Sequence, residues 1–242
     1  MRIFILDKSY CGESLYTLRK REINYLINVL RLQDNDFFTA QDVKGNYYEA
    51  VLNGETLSLS PTEDPEKTAL DHFSGFDGEF VKINIFQALC KGKKNELISR
   101  MLTEAGVQQI SFMQTEFCQE KELKAHDKER IETIIKEAVQ QSGARSVPSL
   151  VFYSSFREAL KNAKGKKIIL HQSVLSSTKS LNEAIKGETE ISLFIGSEGG
   201  FSEDECKAVE KVGGDAVLLK TNILRAETAG IYTVGAIQTI LN

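Results

Sequence analysis

The segment LFIGSEGGFSEDE, residues 193–205, carries residues that could do chemistry. An apolar run ends there in a glycine-rich turn that contains Ser197 and Glu198 and leads into an acidic helix start. Glycines have no Cβ and therefore let a ligand approach the backbone closely. The pattern predicts that something binds against this turn: a phosphate, an acyl group attacked by a serine, or another ligand.

Glycine spacing at this turn argues against a phosphate-binding loop. A dinucleotide-binding fingerprint needs G-x-G-x-x-G after the first strand of its unit, and a P-loop needs Gly-Lys followed by Ser or Thr. This chain instead has Gly196, Gly199 and Gly200. The carboxylate of Glu198 would also repel a phosphate. The turn therefore favours a ligand that is neutral or cationic where it meets the backbone.

A serine hydrolase is a second interpretation of the same turn. Ser197 follows one apolar run and His171 ends another, and acidic residues are plentiful. A nucleophile elbow needs glycine two residues before and two residues after its serine. Gly196 lies only one residue before Ser197, so the spacing argues against this class of enzyme.

A second segment, NILRAETA at residues 222–229, carries a pair of opposite charges. Arg225 and Glu227 lie where an apolar run ends and a helix is expected to begin. A charged pair in such a loop either forms a structural ion pair or takes part in chemistry. The small residues of the following helix allow close approach of a ligand or a second helix, although packing on a sheet is the simpler explanation for them.

The composition is that of an ordinary globular protein. Of 242 residues, 41% are hydrophobic and 26% are charged, and the formal net charge is −4. No apolar run approaches the roughly 20 residues of a membrane helix, and the N-terminal residues do not resemble a secretory signal, so we expect a cytoplasmic protein. The four cysteines and three histidines lack ligand spacing, which predicts no metal site. The acidic balance means that any nucleic-acid binding must use local basic patches.

Residues 1–60 are predicted to form a small β-barrel with one helix. Four short runs, RIFIL, DFFTAQ, NYYEAVLN and ETLSLS, have the β-branched and aromatic residues typical of strands. The helix is predicted in REINYLINVLRL, with Ile23, Leu26, Ile27 and Leu30 on one face. Residues 61–79 hold two of the three prolines and are predicted to be a linker.

From residue 80 onward strands and helices alternate, which predicts an α/β domain with a mostly parallel sheet. The predicted strands are VKINIFQAL, QISFMQT, SLVFY, KKIILH, ISLFIG and DAVLLK. Helices are predicted in KNELISRMLTEAG, with Leu97, Ile98, Met101, Leu102 and Ala105 inward, in DKERIETIIKEAVQQSG, and near 155–163, 178–186, 203–212 and 226–241. In such sheets ligands bind outside the carboxyl ends of the strands, where the two segments above and LHQSVLSS lie.

Six motifs in this order resemble those of the SPOUT-class RNA methyltransferases. They are VLRL (29–32), CKGKKNELI (90–98), TEAGV (103–107), QQSG followed by VP (140–148), FIGSEGGFS (194–202) and ILRAETA (223–229). The pairing of the last two is highly specific, and the six span nearly the whole chain. The resemblance is greatest to the family that methylates N3 of a uridine in small-subunit (16S) ribosomal RNA.

This resemblance implies an α/β protein with two domains. Residues 1–70 would form a PUA-like RNA-binding β-barrel, and residues 71–242 a SPOUT methyltransferase domain with a deep trefoil knot in about 165–242. It also implies a homodimer through the knot domain, with small-subunit ribosomal RNA or the assembled small subunit as partner, and no membrane or metal.

The implied cofactor is S-adenosylmethionine, whose sulfonium is cationic. The residues expected to bind it are Leu170, His171, Ile195, Gly196, Gly199, Gly200, Leu218, Leu219, Ile223 and Leu224. Arg225 is expected to stabilise the charge that develops on uracil oxygens when N3 loses its proton. The general base is Glu198, Glu227 or solvent. RNA contacts are expected from Arg2, Arg19, Arg31, Lys91, Lys93, Lys94 and Arg145.

The chain departs from the family pattern at several positions. Ser197 replaces a proline, and Phe117 and Ala144 occupy positions where arginine is usual. Lys220, Thr221 and Asn222 stand where the family has Gly-Pro-Arg, and Gln140 begins the usual Glu-Gln pair. The lost cations bear on contacts to RNA phosphates. Methylation of another RNA, such as a tRNA ribose, and RNA binding without catalysis in ribosome assembly therefore remain alternatives.

Overall fold

The computed structural model describes residues 3–63, 81–142, 144, 146–172 and 178–242. The chain divides into two compact units, one made of Met1–Asp77 with Val139–Val147 and the other of Gly78–Ala138 with Pro148–Asn242. The predicted boundary at residue 70 and most of the predicted linker lie outside the described residues.

The first unit contains a five-stranded mixed sheet. Its strands are β1 (Phe4–Ile5), β2 (Leu15–Thr17), β3 (Phe37–Gln41), β4 (Tyr47–Asn53) and β5 (Thr56–Thr62), in the order β1-β3-β4-β5-β2. Strands β1 and β3 are parallel, and the other neighbours are antiparallel. The sheet forms a curled half-barrel, so the predicted strand-rich unit is confirmed in this coarser form. The short strand β2 was not predicted.

The helix of this unit differs from the prediction. Helix α1 covers only Lys20–Asn24, and the chain continues as a π-helical turn over Tyr25–Val29. In that turn the amide of Leu30 donates to the carbonyl of Tyr25, five residues back, at 3.0 Å. The wider turn rotates the next side chains, because π geometry changes the helical register. Leu26 is fully buried as predicted, whereas Ile27 is 45% exposed, so its inward placement was wrong.

The second unit contains a six-stranded sheet in which all recorded pairs are parallel. Its strands are β6 (Lys82–Ala88), β7 (Gln109–Met113), β8 (Ser149–Tyr153), β9 (Lys166–Leu170), β10 (Glu190–Ile195) and β11 (Asp215–Val217), in the order β11-β9-β10-β6-β7-β8. Almost every side chain of β6, β7 and β10 is buried, polar ones included, which is typical of a sheet covered on both faces. The predicted α/β class with a parallel sheet is confirmed.

Helices alternate with these strands. They are α2 (Lys94–Glu104), α3 (Ala125–Ser142), α4 (Phe156–Asn162), α5 (Leu181–Ile185), α6 (Glu203–Lys211) and α7 (Ala226–Leu241). Helices α4, α5 and α6 each begin with a serine whose hydroxyl accepts a backbone N–H of the first turn, the usual N-cap. Among the described residues, the helices are too short or too polar to cross a membrane.

Helix α2 buries a face that is rotated from the predicted one. Ile98 and Leu102 are buried as expected, but Leu97 is 45% exposed, so its inward placement was wrong. The buried face instead includes the polar Asn95, which is 2% exposed. Asn95 accepts from the amide of Cys90 at 3.1 Å and donates to its carbonyl at 2.8 Å, so its burial leaves no polar group unpaired there.

Three strand ends meet at one edge of the parallel sheet. Leu170 at the end of β9 pairs with Val217 at the end of β11, and Phe194 of β10 pairs with Ile169 of β9. The loops that follow these strands therefore start side by side. Parallel α/β sheets bind ligands at this edge.

Candidate active site

A cavity of about 310 Å³ lies at the carboxyl ends of β9, β10 and β11. This is the lower end of the roughly 300–1,000 Å³ range of ligand pockets. All ten residues predicted to bind the cofactor line it: Leu170, His171, Ile195, Gly196, Gly199, Gly200, Leu218, Leu219, Ile223 and Leu224. The structure thus brings together residues from three loops, although their role as cofactor ligands stays a prediction.

Seven residues that were not among the predicted cofactor-binding residues also line the cavity: Gln172, Ser197, Phe201, Thr221, Asn222, Ala226 and Ala229. Six of them lie within two residues of a predicted cofactor-binding residue, and Ala229 lies five residues after Leu224. Their position in the same loops was therefore the available signal. Gln172, Thr221 and Asn222 add polar side chains to walls that are otherwise mostly aliphatic.

The glycine turn leaves no room for side chains where its two arms cross. A Cβ on Gly196 would lie 2.8 Å from the Cα of Gly200, a backbone contact that forces a shift. Gly200 has a φ of +73°, in the left-handed region that favours glycine. The amide of Gly200 donates to the carbonyl of Ser197 at 2.9 Å, which closes the turn. Glycine is thus required here for a geometric reason.

Gln87 of β6 supports this turn from inside the protein. Its side chain is fully buried, and its Nε2 donates to the carbonyl oxygens of Gly196 at 3.1 Å and Ala88 at 3.0 Å. Because the buried Gln87 amide donates a hydrogen bond to the Gly196 carbonyl, it fixes the position of the glycine turn.

Ser197 is buried and its Oγ has no hydrogen-bond partner within the described part of the chain. His171 lines the same cavity, but the serine hydroxyl does not bond to it. The Ser–His pair that a serine hydrolase requires is therefore not formed. An unpaired polar atom beside a cavity is instead a group that a bound ligand could satisfy.

Lys94 joins the two candidate catalytic carboxylates. Its Nζ lies 2.7 Å from Oε1 of Glu198 and 3.8 Å from Oε2 of Glu227. Oε1 of Glu198 also accepts the backbone N–H of Lys91 at 3.3 Å. One cation from the first turn of α2 thus holds the glycine turn and the first turn of α7, an arrangement that the sequence did not predict.

These contacts set the charge of Glu198. Partial burial alone would raise the pKa of its carboxyl, but the hydrogen bonds from Lys94 and the Lys91 amide outweigh burial and lower the pKa. The hydrogen bond to Glu198 correspondingly raises the pKa of Lys94. The pair is therefore ionised near neutral pH. Burial, together with nearby Glu198, raises the pKa of the Cys90 thiol to about 12, so this cysteine is a neutral thiol.

Arg225 is the residue just before α7, and its side chain is exposed. Its carbonyl accepts the amides of Thr228 and Ala229, both at 2.9 Å. Among the described residues its guanidinium forms no salt bridge, and Glu227 contacts Lys94 instead. Oε2 of Glu227 is buried and makes no hydrogen bond to a described residue. Arg225 is thus an available cation beside the cavity-lining residues Leu224 and Ala226.

The residues predicted to contact RNA differ in their exposure and in their salt bridges. Lys91 and Lys93 are exposed in the turn before α2, and Arg31 has a φ of 59° after the π-helical turn. Arg19 forms a salt bridge with Asp7 at 2.8 Å. Lys94 is engaged as above, while Arg2 and Arg145 lie outside the described residues. Their role in RNA binding stays a prediction. Within the described ranges, acidic, histidine and cysteine side chains form no cluster suited to a metal.

The class of protein follows from fold, site and family together. Residues 78–238 match the family model described as RNA methyltransferase domain, which covers more than half of the chain. A parallel sheet with a glycine-floored cavity at its carboxyl edge is the setting in which such a domain would bind its ligand.

Similarity to named proteins and to a solved structure identifies the family within this class. The chain is 31% identical to ribosomal RNA small subunit methyltransferase E of Buchnera aphidicola, over 99% of this chain and 93% of that protein. It is 28% identical to ribosomal RNA small subunit methyltransferase E 2 of Borreliella burgdorferi, over 100% and 98%. A crystal structure of the Neisseria gonorrhoeae methyltransferase E bound to S-adenosyl methionine shares 25% identity and a TM-score of 0.79, over 100% of this chain and 98% of that one. The chain belongs to the ribosomal RNA small subunit methyltransferase E family.

Proposed function

We propose that this protein transfers a methyl group from S-adenosylmethionine to N3 of a uridine in small-subunit ribosomal RNA. Membership of the family supports the class of substrate, and the structure bound to S-adenosyl methionine supports the cofactor. The observation that carries the proposal is the cavity whose lining contains all ten residues expected to hold that cofactor.

The cavity suits S-adenosylmethionine in shape and chemistry. Gly196 and Gly200 leave the backbone open to a flat adenine ring, while Leu170, Leu219 and Ile223 offer apolar walls. Ile223 is 80% exposed, so a bound ring could cover apolar surface that now faces solvent. The unpaired hydroxyl of Ser197 would gain a polar partner.

The chemistry requires that N3 of uracil loses its proton, because the neutral ring nitrogen is a poor nucleophile. The bound cofactor supplies an electrophilic methyl group. Arg225 stabilises the negative charge that spreads onto the uracil oxygens. Glu198, Glu227 or solvent accepts the proton. The lowered pKa of Glu198 keeps it as a carboxylate that accepts hydrogen bonds, and Lys94 fixes its position.

RNA binding is assigned to the half-barrel unit, as a PUA-like domain, and to basic residues near the cavity. The exposed Lys91 and Lys93 lie directly before α2, whose first residue is Lys94. Arg19 and Arg31 belong to the half-barrel unit. We assign Arg2 and Arg145 to RNA binding on their charge alone. Contacts of this kind to phosphates position an RNA without reading its sequence.

The proposal includes a trefoil knot in about 165–242 and a homodimer through α7. Helix α5 packs against both β11 and α7. On α7, Tyr232 and Ile240 are 50% and 46% exposed, and a Cβ on Gly235 would meet no atom within 4 Å. Such an apolar, small-residue face favours a second helix. We place the reaction in the cytoplasm, where ribosomal subunits are assembled.

Two measurements test the proposed function. Mass mapping of small-subunit RNA from cells lacking this protein should show the loss of one methyl group on a uridine base. Calorimetry with S-adenosylmethionine should show binding to the purified protein. Loss of a ribose methyl would instead support the alternative substrate, and absence of cofactor binding would support a non-catalytic RNA-binding protein.

A further inference from the structure

Phe117 presents an aromatic ring to solvent beside the glycine turn. The residue lies between β7 and α3 and is 44% exposed. A Cβ built on Gly199 would lie 2.7 Å from the Cβ of Phe117 and 3.6 Å from its Cγ. The side chain of Phe117 therefore starts directly against the backbone of Gly199, a residue that lines the cavity.

The loop that carries Phe117 is held firmly on both sides of the ring. Thr115 and Cys118 are buried, and the amide of Cys118 donates to the carbonyl of Thr115 at 3.2 Å. The amide of Glu116 donates to Oε1 of Glu205 at 3.0 Å, and Glu205 is itself buried in the capping box of α6. The backbone around Phe117 is thus fixed, so the exposure of the ring is a feature of the fold.

This ring stands next to the residues that would act on the substrate. Gly199, whose backbone lies against the start of the Phe117 side chain, follows Glu198 in the chain, and Glu198 is bound to Lys94. Burying a phenylalanine side chain stabilises a protein, and the partly exposed Phe117 lacks part of that stabilisation. An exposed aromatic ring on a rigid loop beside a ligand cavity is a surface on which a flat ring can stack.

We propose that Phe117 is a stacking platform for a nucleobase of the RNA substrate at the methylation site. The inference rests on the proposed function, which requires one base to leave its RNA stack and reach the cavity. Enzymes that modify bases hold the extruded base between aromatic or apolar side chains. Stacking on one aromatic side chain contributes about 1–3 kcal/mol per base, and it needs no hydrogen-bonding group from Phe117.

The test separates stacking from packing with two substitutions. Phe117→Leu keeps an apolar side chain on Gly199 but removes the π face, whereas Phe117→Tyr keeps both. The RNA is unmethylated small ribosomal subunits from cells lacking the protein. Phe117→Leu should weaken RNA binding and raise KM for RNA by about 5-fold to 150-fold. Phe117→Tyr should keep the RNA affinity of the unsubstituted protein. Both should keep its thermal midpoint and its affinity for S-adenosylmethionine.

Val212→Ala serves as a control, because Val212 is 53% exposed at the end of α6 and lines no part of this cavity. It should leave RNA affinity unchanged. The inference is overturned if Phe117→Leu binds RNA as tightly as the unsubstituted protein. It is also overturned if this variant weakens cofactor binding equally, which indicates packing, or changes the oligomeric state, which indicates a covering subunit.

RNA affinity is measured by direct binding as well as by turnover. An absence of methyl transfer by the unsubstituted protein would therefore refute the proposed function, whereas unchanged RNA binding by Phe117→Leu would overturn the role of Phe117 alone.

Discussion

The ammonium of Lys94 lies 2.7 Å from Oε1 of Glu198, although the two residues are 104 positions apart in the chain. This contact ties the start of α2 to the glycine turn that floors the cavity. With Glu227 at 3.8 Å from the same ammonium, a single lysine connects three segments around the candidate site.

Replacing Lys94 tests whether this ion pair positions Glu198. Lys94→Met removes the cation that lowers the pKa of Glu198, so the pKa of that carboxyl should rise. Where ionisation of Glu198 limits activity, the acid limb of the pH dependence of kcat should move to higher pH. Methyl transfer should fall by on the order of 10²-fold if the turn shifts by about 1 Å. Carboxyl NMR of Glu198 and the pH dependence of kcat measure both effects.

Two further variants complete this test. Lys94→Arg keeps a cation and should restore much of the activity. Lys93→Met removes the adjacent exposed cation and should leave the pKa of Glu198 unchanged. An unaltered pKa in Lys94→Met would contradict the positioning role.

Arg225→Ala should retain cofactor binding and lose methylation. The substitution leaves the carbonyl of residue 225 available to the amides of Thr228 and Ala229, so α7 should keep its start. Loss of a group that stabilises developing charge costs about 10²–10³ in kcat. Calorimetry and single-turnover methyl transfer measure the two properties separately. Arg157→Ala, which removes an exposed arginine from α4, is the matched control. Full activity of Arg225→Ala would remove this residue from the mechanism.

Gly196→Ala should weaken cofactor binding through backbone displacement. The new Cβ would lie 2.8 Å from the Cα of Gly200, and neither backbone can yield without opening the turn. Affinity for S-adenosylmethionine should fall by more than about 10-fold, corresponding to 1.4 kcal/mol. Val212→Ala is the control, since Val212 is 53% exposed at the end of α6 and lines no part of the cavity. Equal cofactor affinity in the two variants would show that the turn is not the binding surface.

Asp215 predicts a pH-dependent contribution to stability. Burial alone would raise the pKa of its carboxyl, but Lys166 and Lys179, each at 2.8 Å, outweigh burial and lower it. A lowered pKa contributes stability above the unfolded value of about 3.9, and this contribution is lost as pH falls through the folded pKa. Asp215→Asn should therefore lower the free energy of unfolding by about 1–3 kcal/mol at pH 7.

The destabilisation should shrink as the pH falls below about 4. Urea unfolding at pH 7 and at a pH below about 4 measures the difference in the free energy of unfolding. Asp204→Asn, at a side chain that is 94% exposed on α6, is the control and should have little effect at either pH. A difference for Asp215→Asn that does not change with pH would contradict this assignment.

The strand pattern predicted that the three loops meet at one edge of the sheet, and the family resemblance supplied the residues expected to bind a cofactor there. A glycine turn after a buried strand, and apolar residues after two others, are visible as patterns, and parallel strands must align their carboxyl ends. All ten predicted lining residues accordingly meet there. The lysine bridge could not be predicted in this way, since Lys94 and Glu198 meet only through the tertiary packing of α2.

Two helix faces were predicted less well. The helical pattern predicted that Leu97 faces inward. The buried face of α2 instead includes Asn95, whose side-chain amide hydrogen-bonds to the backbone of Cys90. Ile27 is displaced by a π-helical turn, which hydrophobic spacing of 3.6 residues cannot reveal. In both cases a tertiary or backbone detail overrides the periodic pattern.

The most direct test of the account is methyl transfer by the purified protein to small subunits from cells that lack it. With S-adenosylmethionine present, mass mapping should find one new methyl group, on the base of a uridine and at N3. Transfer to a ribose, or no transfer despite bound cofactor, would contradict the proposed reaction.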